Sequence, residues 1–401
     1  MAFKKMKITI RNFILGIYVW TFIGFGIVEN IPMLSVVKFL PDVIIMGLLL
    51  YKHIFVREEF YNPFSRIVLY VLFFETLVSY CIHYENAFYY LWGLRNLFRY
   101  FLYMHICICF LKKEDFFLLC KITLFFLFVN TPIMFYQGVI LNLFGDNVGG
   151  LLGTSTGVNA YTNIHLVLST VIVISLYSKS KLNVFSVSMV LLCCFLQAAL
   201  AELKFYYIEF VIVFIWMFLF SKDKRKLLPI VNICYGIFLI GFVLMSFFYE
   251  ENGAFFTLDS MMEYSDEAYA KHCEGIDRTT ALPLIKMFFL TNFFDYLFGI
   301  GLGNAEFTSL YTPIFISNYG YFHLYFFSHA MIFLEIGLIG LILYVLFFLD
   351  YFILNFSRRD SIQTFVGVSL IPLVFCLCIY NQSLRMDSAF LIFTFLALPY
   401  T

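Results

Sequence analysis

Nearly uncharged stretches of roughly 20 residues recur along the whole chain, separated by short polar or charged segments. Runs of that length match the apolar thickness of a bilayer and exceed what a buried helix in a water-soluble protein needs. The pattern predicts an all-α, polytopic membrane protein. Its twelve expected spans lie at about 12–28, 33–51, 66–83, 87–110, 116–135, 160–177, 184–200, 204–220, 228–248, 328–354, 362–380 and 387–400. Three regions follow: spans one to nine within 1–248, a large loop at 249–327, and spans ten to twelve within 328–401.

Composition agrees with that pattern. Apolar residues make up 62% of the 401 and charged residues 13%, against about 25% charged in a soluble domain. The net charge is zero, so there is no basic excess to draw the chain to nucleic acid. Of the ten cysteines, Cys107, Cys109, Cys193, Cys194, Cys376 and Cys378 fall inside apolar spans and only Cys273 sits clearly in a loop. They read as small buried hydrophobes, and they suggest neither a disulfide framework nor a metal site. The basic start MAFKKMKITIR is followed by an apolar stretch without a small-residue cleavage site, so it reads as a retained first span.

Lysine and arginine placement gives the orientation. The N-terminal tail carries Lys4, Lys5, Lys7 and Arg11. Alternate loops carry Lys52, Arg57 and Arg66; Lys112 and Lys113; Lys179 and Lys181; Lys222, Lys224, Arg225 and Lys226; Arg358 and Arg359. Both termini are therefore expected on the cytoplasmic side. The loop at 249–327 then faces outward. It is acidic, with Glu250, Glu251, Asp259, Glu263, Asp266, Glu267, Glu274, Asp277, Asp295 and Glu306 against Lys271, Arg278 and Lys286. A connection this long is commonly functional.

Against this background several polar residues stand out. In LWGLRNLFRYF, Arg95 and Arg99 are i,i+4 and share one helix face, roughly 10–20 Å below the outer edge. They either pair with another helix or snorkel, or they hold an anion such as a phosphate or diphosphate. Lys204, beside Glu202, opens span eight, and Arg278 follows Asp277 in the large loop. Each reads alone as an ion pair or a solvated residue. Together the four depart from the positive-inside trend toward the outer half, which an anionic lipid-linked substrate would explain. His329 and His323 lie at the head of span ten and are candidate general bases; each also reads as a structural hydrogen-bonder. Glu335 lies about 120° around the helix from His329, so the two do not form a dyad. Gly337 and Gly340 read as small residues allowing close packing. In FGIGLGN, Gly299, Gly301 and Gly303 read as a turn shaping the loop, because no strand–helix unit follows that would make a nucleotide site.

These segments, taken in order, resemble those of the O-antigen ligase and repeat-unit polymerase superfamily. SHAMIFLEIGLIG (328–340) resembles the His…Glu-x-Gly-x-x-Gly segment that closes that family's large external loop, and LFGIGLGN resembles the Gly-rich turn before it. The arginine of Arg278-Thr-Thr-Ala-Leu, the segment GLLGTSTGVNAY (150–161), AELKF and LRNLFRY are similar to further family segments in the same order. One departure concerns the histidine, which the family usually carries about nine residues before the glutamate. Phe326 stands there, with His323 one turn earlier and His329 one turn later.

The resemblance implies a GT-C-like helical enzyme of the bacterial cytoplasmic membrane. It would polymerise undecaprenyl-diphosphate-linked repeat units into O-antigen, capsule or exopolysaccharide by an inverting, metal-independent transfer without a cofactor. Arg95, Arg99, Lys204 and Arg278 would bind the diphosphate and His329, or alternatively His323, would be the base. Partners would be the lipid-linked glycans, membrane lipids, and flippase and chain-length regulator proteins. Tyr311 and Tyr319 would stack on sugars. The alternatives are a ligase of the same superfamily, a lipid-linked glycan flippase, and a polyprenyl-phosphate-dependent transferase using Glu29.

Overall fold

The structure, a computed structural model, describes residues 2–55, 62–83, 86–143, 145–221, 224–233, 235–236, 239, 278–306, 308 and 310–401. All regular secondary structure among the described residues is helical. The long helices are α1 (Ala2–Asn30), α2 (Leu40–Phe55), α3 (Pro63–His83), α4 (Ala87–Phe110), α5 (Asp115–Phe135), α6 (Asn159–Ser178), α7 (Val184–Leu200) and α8 (Lys204–Phe220). Three short helices of the large loop follow: α9 (Ala281–Phe288), α10 (Phe293–Phe298) and α11 (Ile314–Tyr319). The chain closes with α12 (Ser328–Phe356), α13 (Ile362–Tyr380) and α14 (Ala389–Ala397). The expected ninth span beyond residue 239 and loop residues 249–277, including Cys273, lie outside the described residues.

Six of these helices are long and apolar enough to cross a membrane: Ile10–Asn30 within α1, α3, α5 with its extension to Ile140, α6, α12 and α13. The protein is thus a helical membrane protein. α7 and the segment Ala389–Tyr400 are apolar but shorter.

Local chemistry sets several boundaries. Asn86, Asn183 and Ser361 cap α4, α7 and α13 by accepting hydrogen bonds from the amides of Phe88, Ser186 and Thr364. The second expected span is not one α-helix from residue 33. A 3₁₀ segment, Pro32–Phe39, precedes α2. Pro41 has no amide proton to donate and falls in the first turn of α2, where that proton would have no intrahelical partner.

α6 lies at the centre. Residues 160–176 are all buried, as expected of a helix apolar all round, and it packs against α5, α7, α8, α13 and α14. α8 sits at the periphery. Ile208, Val211, Ile215 and Leu219 follow at helical spacing and are 45–53% exposed, forming an apolar stripe suited to acyl chains rather than water.

α12 is interrupted. Gly337 has φ 63° and ψ −165° inside the helix, so the N–H groups after it cannot reach back to the carbonyls four residues earlier. The carbonyls of Leu334 and Glu335 instead accept hydrogen bonds from Ile300 (2.9 Å) and Gly301 (3.1 Å) in the Gly-rich turn. A Cβ at Gly337 would collide with the backbone of Leu297 and Phe298. Its smallness therefore serves both a backbone break and the close approach of α10, the close helix packing expected from sequence. Gly340 differs again: a Cβ there would meet Ile336 of its own helix.

Candidate functional site

A cavity of about 670 Å³ opens between α1, α4, the loop before α12 and the α13–α14 connection. α1 gives it a mainly apolar wall from Trp20, Thr21, Gly24, Phe25 and Val28. α4 contributes Trp92, Arg95, Asn96 and Arg99, which share one face at i, i+3, i+4 and i+7. Lys38 and Phe39 come from the 3₁₀ segment, Glu306, Tyr325 and Phe326 from the outer loop, and Gln382, Arg385, Met386 and Asp387 from the α13–α14 connection.

Four cations, Lys38, Arg95, Arg99 and Arg385, line this cavity against two carboxylates, Glu306 and Asp387. Arg95 donates to Asp42 of α2 through Nε (3.0 Å) and Nη2 (2.5 Å), and through Nη1 to Asn96 (2.7 Å). Its guanidinium lies over the Trp92 ring at 4.7 Å, a cation–π contact that holds it in plane. Arg99 Nη1 faces Asp387 at 2.9 Å and Asp42 at 3.7 Å. Its Nη2 donates to the Tyr100 hydroxyl and, at 3.4 Å, to the Arg385 carbonyl. The buried Nε of Arg99 has no acceptor. Arg385 donates to Glu306 and, at 3.1 Å, to Glu335. The first of the two possibilities for Arg95 and Arg99, pairing with other elements, is realised, and both side chains also line the cavity.

Glu335 organises the outer wall. Besides Arg385 it receives the amides of Gly303 (3.1 Å) and Ala305 (3.2 Å), so one buried carboxylate fixes the turn that presents Glu306. Gly303 has φ 89°, and a Cβ there would strike the carbonyl of Tyr89, so only glycine fits between this turn and α4. Gly299 (φ 74°) and Gly301 (φ 100°) complete the same left-handed turn.

The other sequence candidates lie elsewhere. His329 is 6% exposed. Its Nδ1 lies 3.1 Å from the Cys378 carbonyl and its Nε2 3.1 Å from the Arg278 carbonyl. Whichever nitrogen carries the proton, both face backbone oxygens, and the ring ties the loop to α13. His323 bonds the Tyr325 hydroxyl (2.7 Å) and stacks on Phe326 (5.2 Å) behind the cavity wall. Neither histidine is among the residues that line this cavity; both hold neighbouring segments together through the contacts just given.

Arg278 donates to the Tyr380 carbonyl (2.9 Å) and covers the Tyr380 ring (4.4 Å). Tyr380 in turn stacks on Phe205 at 4.1 Å, the neighbour of Lys204. The four expected cations are therefore divided. Arg95 and Arg99 face the cavity, whereas Arg278 and Lys204 belong to a neighbouring layer with Asp146 and Glu202. Burial pushes both of those carboxyls above the usual range, opposed by Arg278 at Asp146 and by Lys204 at Glu202. Of the expected sugar-stacking tyrosines, Tyr311 stacks on Tyr89 (4.3 Å) and meets the edge of Trp92 (6.3 Å) at the cavity wall. Tyr319 packs on Phe289 within the loop. Glu29 is engaged by the amide (2.9 Å) and hydroxyl (3.0 Å) of Thr154.

Lys38, Asp42, Arg385 and Asp387 escaped sequence reasoning. A signal existed for Arg385: in NQSLRMDS it is a basic residue in an expected outer connection, the same departure that singled out Arg278. No protein-family model matches the chain, and no curated protein matches it.

Proposed function

We propose that the protein is a membrane glycosyltransferase that polymerises diphosphate-linked oligosaccharide repeat units into a bacterial surface polysaccharide. In this reading it is a twelve-span, GT-C-like enzyme of the cytoplasmic membrane, with both termini cytoplasmic and the cavity on the outer face. The donor and acceptor are undecaprenyl-diphosphate-linked glycans. The observation that carries the reading is the grouping of Arg95, Arg99, Arg385 and Lys38 in one cavity among apolar helices. Cations within such helices are costly and gather where something must be bound. A glycosyl diphosphate fits that demand, because its departure leaves charge that fixed guanidiniums stabilise. The apolar α1 wall next to them suits the lipid chain.

The test is a polysaccharide immunoblot of cells lacking the gene, complemented with wild type or with Arg99→Ala. Single repeat units in place of polymer, restored by wild type but not by Arg99→Ala, support polymerisation. Full-length polymer that is made but not attached would assign the chain to ligation instead.

A further inference from the structure

We propose that Asp387 receives the proton of the acceptor hydroxyl, and that it is released for this task by the anion that takes its place on Arg99. The inference rests on the glycosyl-transfer reading above. That chemistry needs a proton acceptor in the same cavity as the cations. Among the described lining residues there is no imidazole, and the carboxylates are Glu306 and Asp387. Glu306 is bound to Arg385, which Glu335 holds from behind. Its side chain is 12% exposed, against 24% for Asp387. Asp387 meets Arg99 through Oδ1 at 2.9 Å, and among the described residues no side-chain hydrogen bond reaches its Oδ2.

The pairing with Arg99 is exchangeable. A diphosphate carries more charge and more acceptor oxygens than a carboxylate, and guanidinium favours such bidentate partners. Its arrival at Arg99 displaces Asp387 and frees the carboxylate beside the substrate. An ion-paired carboxylate is a poor base and a released one a better base, so proton acceptance follows donor binding. In the transfer step the acceptor oxygen forms a bond to the donor's anomeric carbon. The bond from that carbon to the diphosphate breaks, and the diphosphate leaves with the electron pair. The acceptor's proton passes to Asp387.

Asp387 is also held without its carboxylate. The Phe390 amide bonds its carbonyl (3.1 Å), and Ser388 Oγ bonds the Ser383 carbonyl (3.1 Å). Asp387→Asn should therefore keep the turn. The chain provides a binding probe as well: of its three tryptophans, Trp20 and Trp92 line the cavity, whereas Trp216 packs on Phe220 and Phe352.

The experiment uses full-length protein in lipid nanodiscs with Trp216→Phe, titrated with inorganic pyrophosphate and read by tryptophan fluorescence, alongside the immunoblot in cells. Removing the competing carboxylate should tighten pyrophosphate binding roughly three- to tenfold in Asp387→Asn. Polymer formation should fall by about 10²- to 10⁴-fold, the usual contribution of a general base. Asp387→Glu should restore part of the polymer. Weaker pyrophosphate binding in Asp387→Asn, or normal polymer from it, overturns the inference while leaving the diphosphate reading intact. A parent protein that does not bind pyrophosphate overturns both.

Discussion

Arg99 and Arg278 are both arginines stacked on tyrosines, yet the contacts they make with the described residues differ. Arg99 faces side-chain carboxylates at a cavity, whereas Arg278 donates to a backbone carbonyl between packed elements. A carboxylate can rotate away when a stronger anion arrives. A carbonyl of α13 cannot leave without unfolding the helix end. Exchangeable partners mark the residue that binds and fixed partners mark the residue that braces. The same distinction separates the cavity cations from His329, both of whose nitrogens face backbone oxygens.

The largest expected effect tests the binding side. Arg99→Ala should weaken pyrophosphate binding at least about 100-fold, since a buried cation is lost and Asp387 is left without its arginine, while Asp42 keeps Arg95. Arg99→Lys should recover only part, because an ammonium cannot offer the planar fork. Normal binding in Arg99→Ala would erase the comparison.

The bracing side is tested next. Gly337→Ala places a side chain at positive φ against the backbone of residues 297 and 298, and should cost about 1–3 kcal/mol in thermal unfolding of the reconstituted protein. His329→Ala should lower stability by about 1–3 kcal/mol by removing the ring's one N–H donor from a buried carbonyl and leaving a cavity, while pyrophosphate binding stays within about twofold of the parent. A selective loss of transfer with unchanged stability in His329→Ala would instead return the histidine to catalysis.

The smallest effect is a pH dependence. Asp146 and Glu202 have folded-state values raised by burial, so the folded protein retains protons that the unfolded chain gives up. Their contribution to stability is complete below the unfolded values near pH 4 and is lost as pH rises through the raised ones. Melting temperature should therefore decline over that rise, and the double variant Asp146→Asn, Glu202→Gln should flatten the slope. An identical slope in the variant would place the proton uptake elsewhere.

Periodicity made the helices legible. Spans seven, eight and eleven begin and end where expected, because an N-cap or a change of polarity marks each end. The 3₁₀ start before α2 and the break in α12 were not legible as such. A proline or glycine announces a possible interruption, but the neighbouring backbone decides which form it takes. The candidate site was half visible. Arg95 and Arg99 stood out because charge inside an apolar run is costly. Asp387 did not, since it opens an apolar segment where an acid is ordinary, whereas Asp42, inside the expected span 33–51, carried the same signal as the arginines. Only the packing of α2 and α14 on α4 brings them to the arginines.

The interruption at Gly337 makes the longest helix two rods in series. Residues 338–356, at 1.5 Å each, cover roughly 28 Å, about the depth of the hydrocarbon layer. The preceding rod, with its first ten residues buried, is clamped to the Gly-rich turn and, through Glu335, to Arg385. Packing against neighbouring helices sets the tilt of a membrane-length rod, and the break at Gly337 lets that rod and the clamped one take different directions.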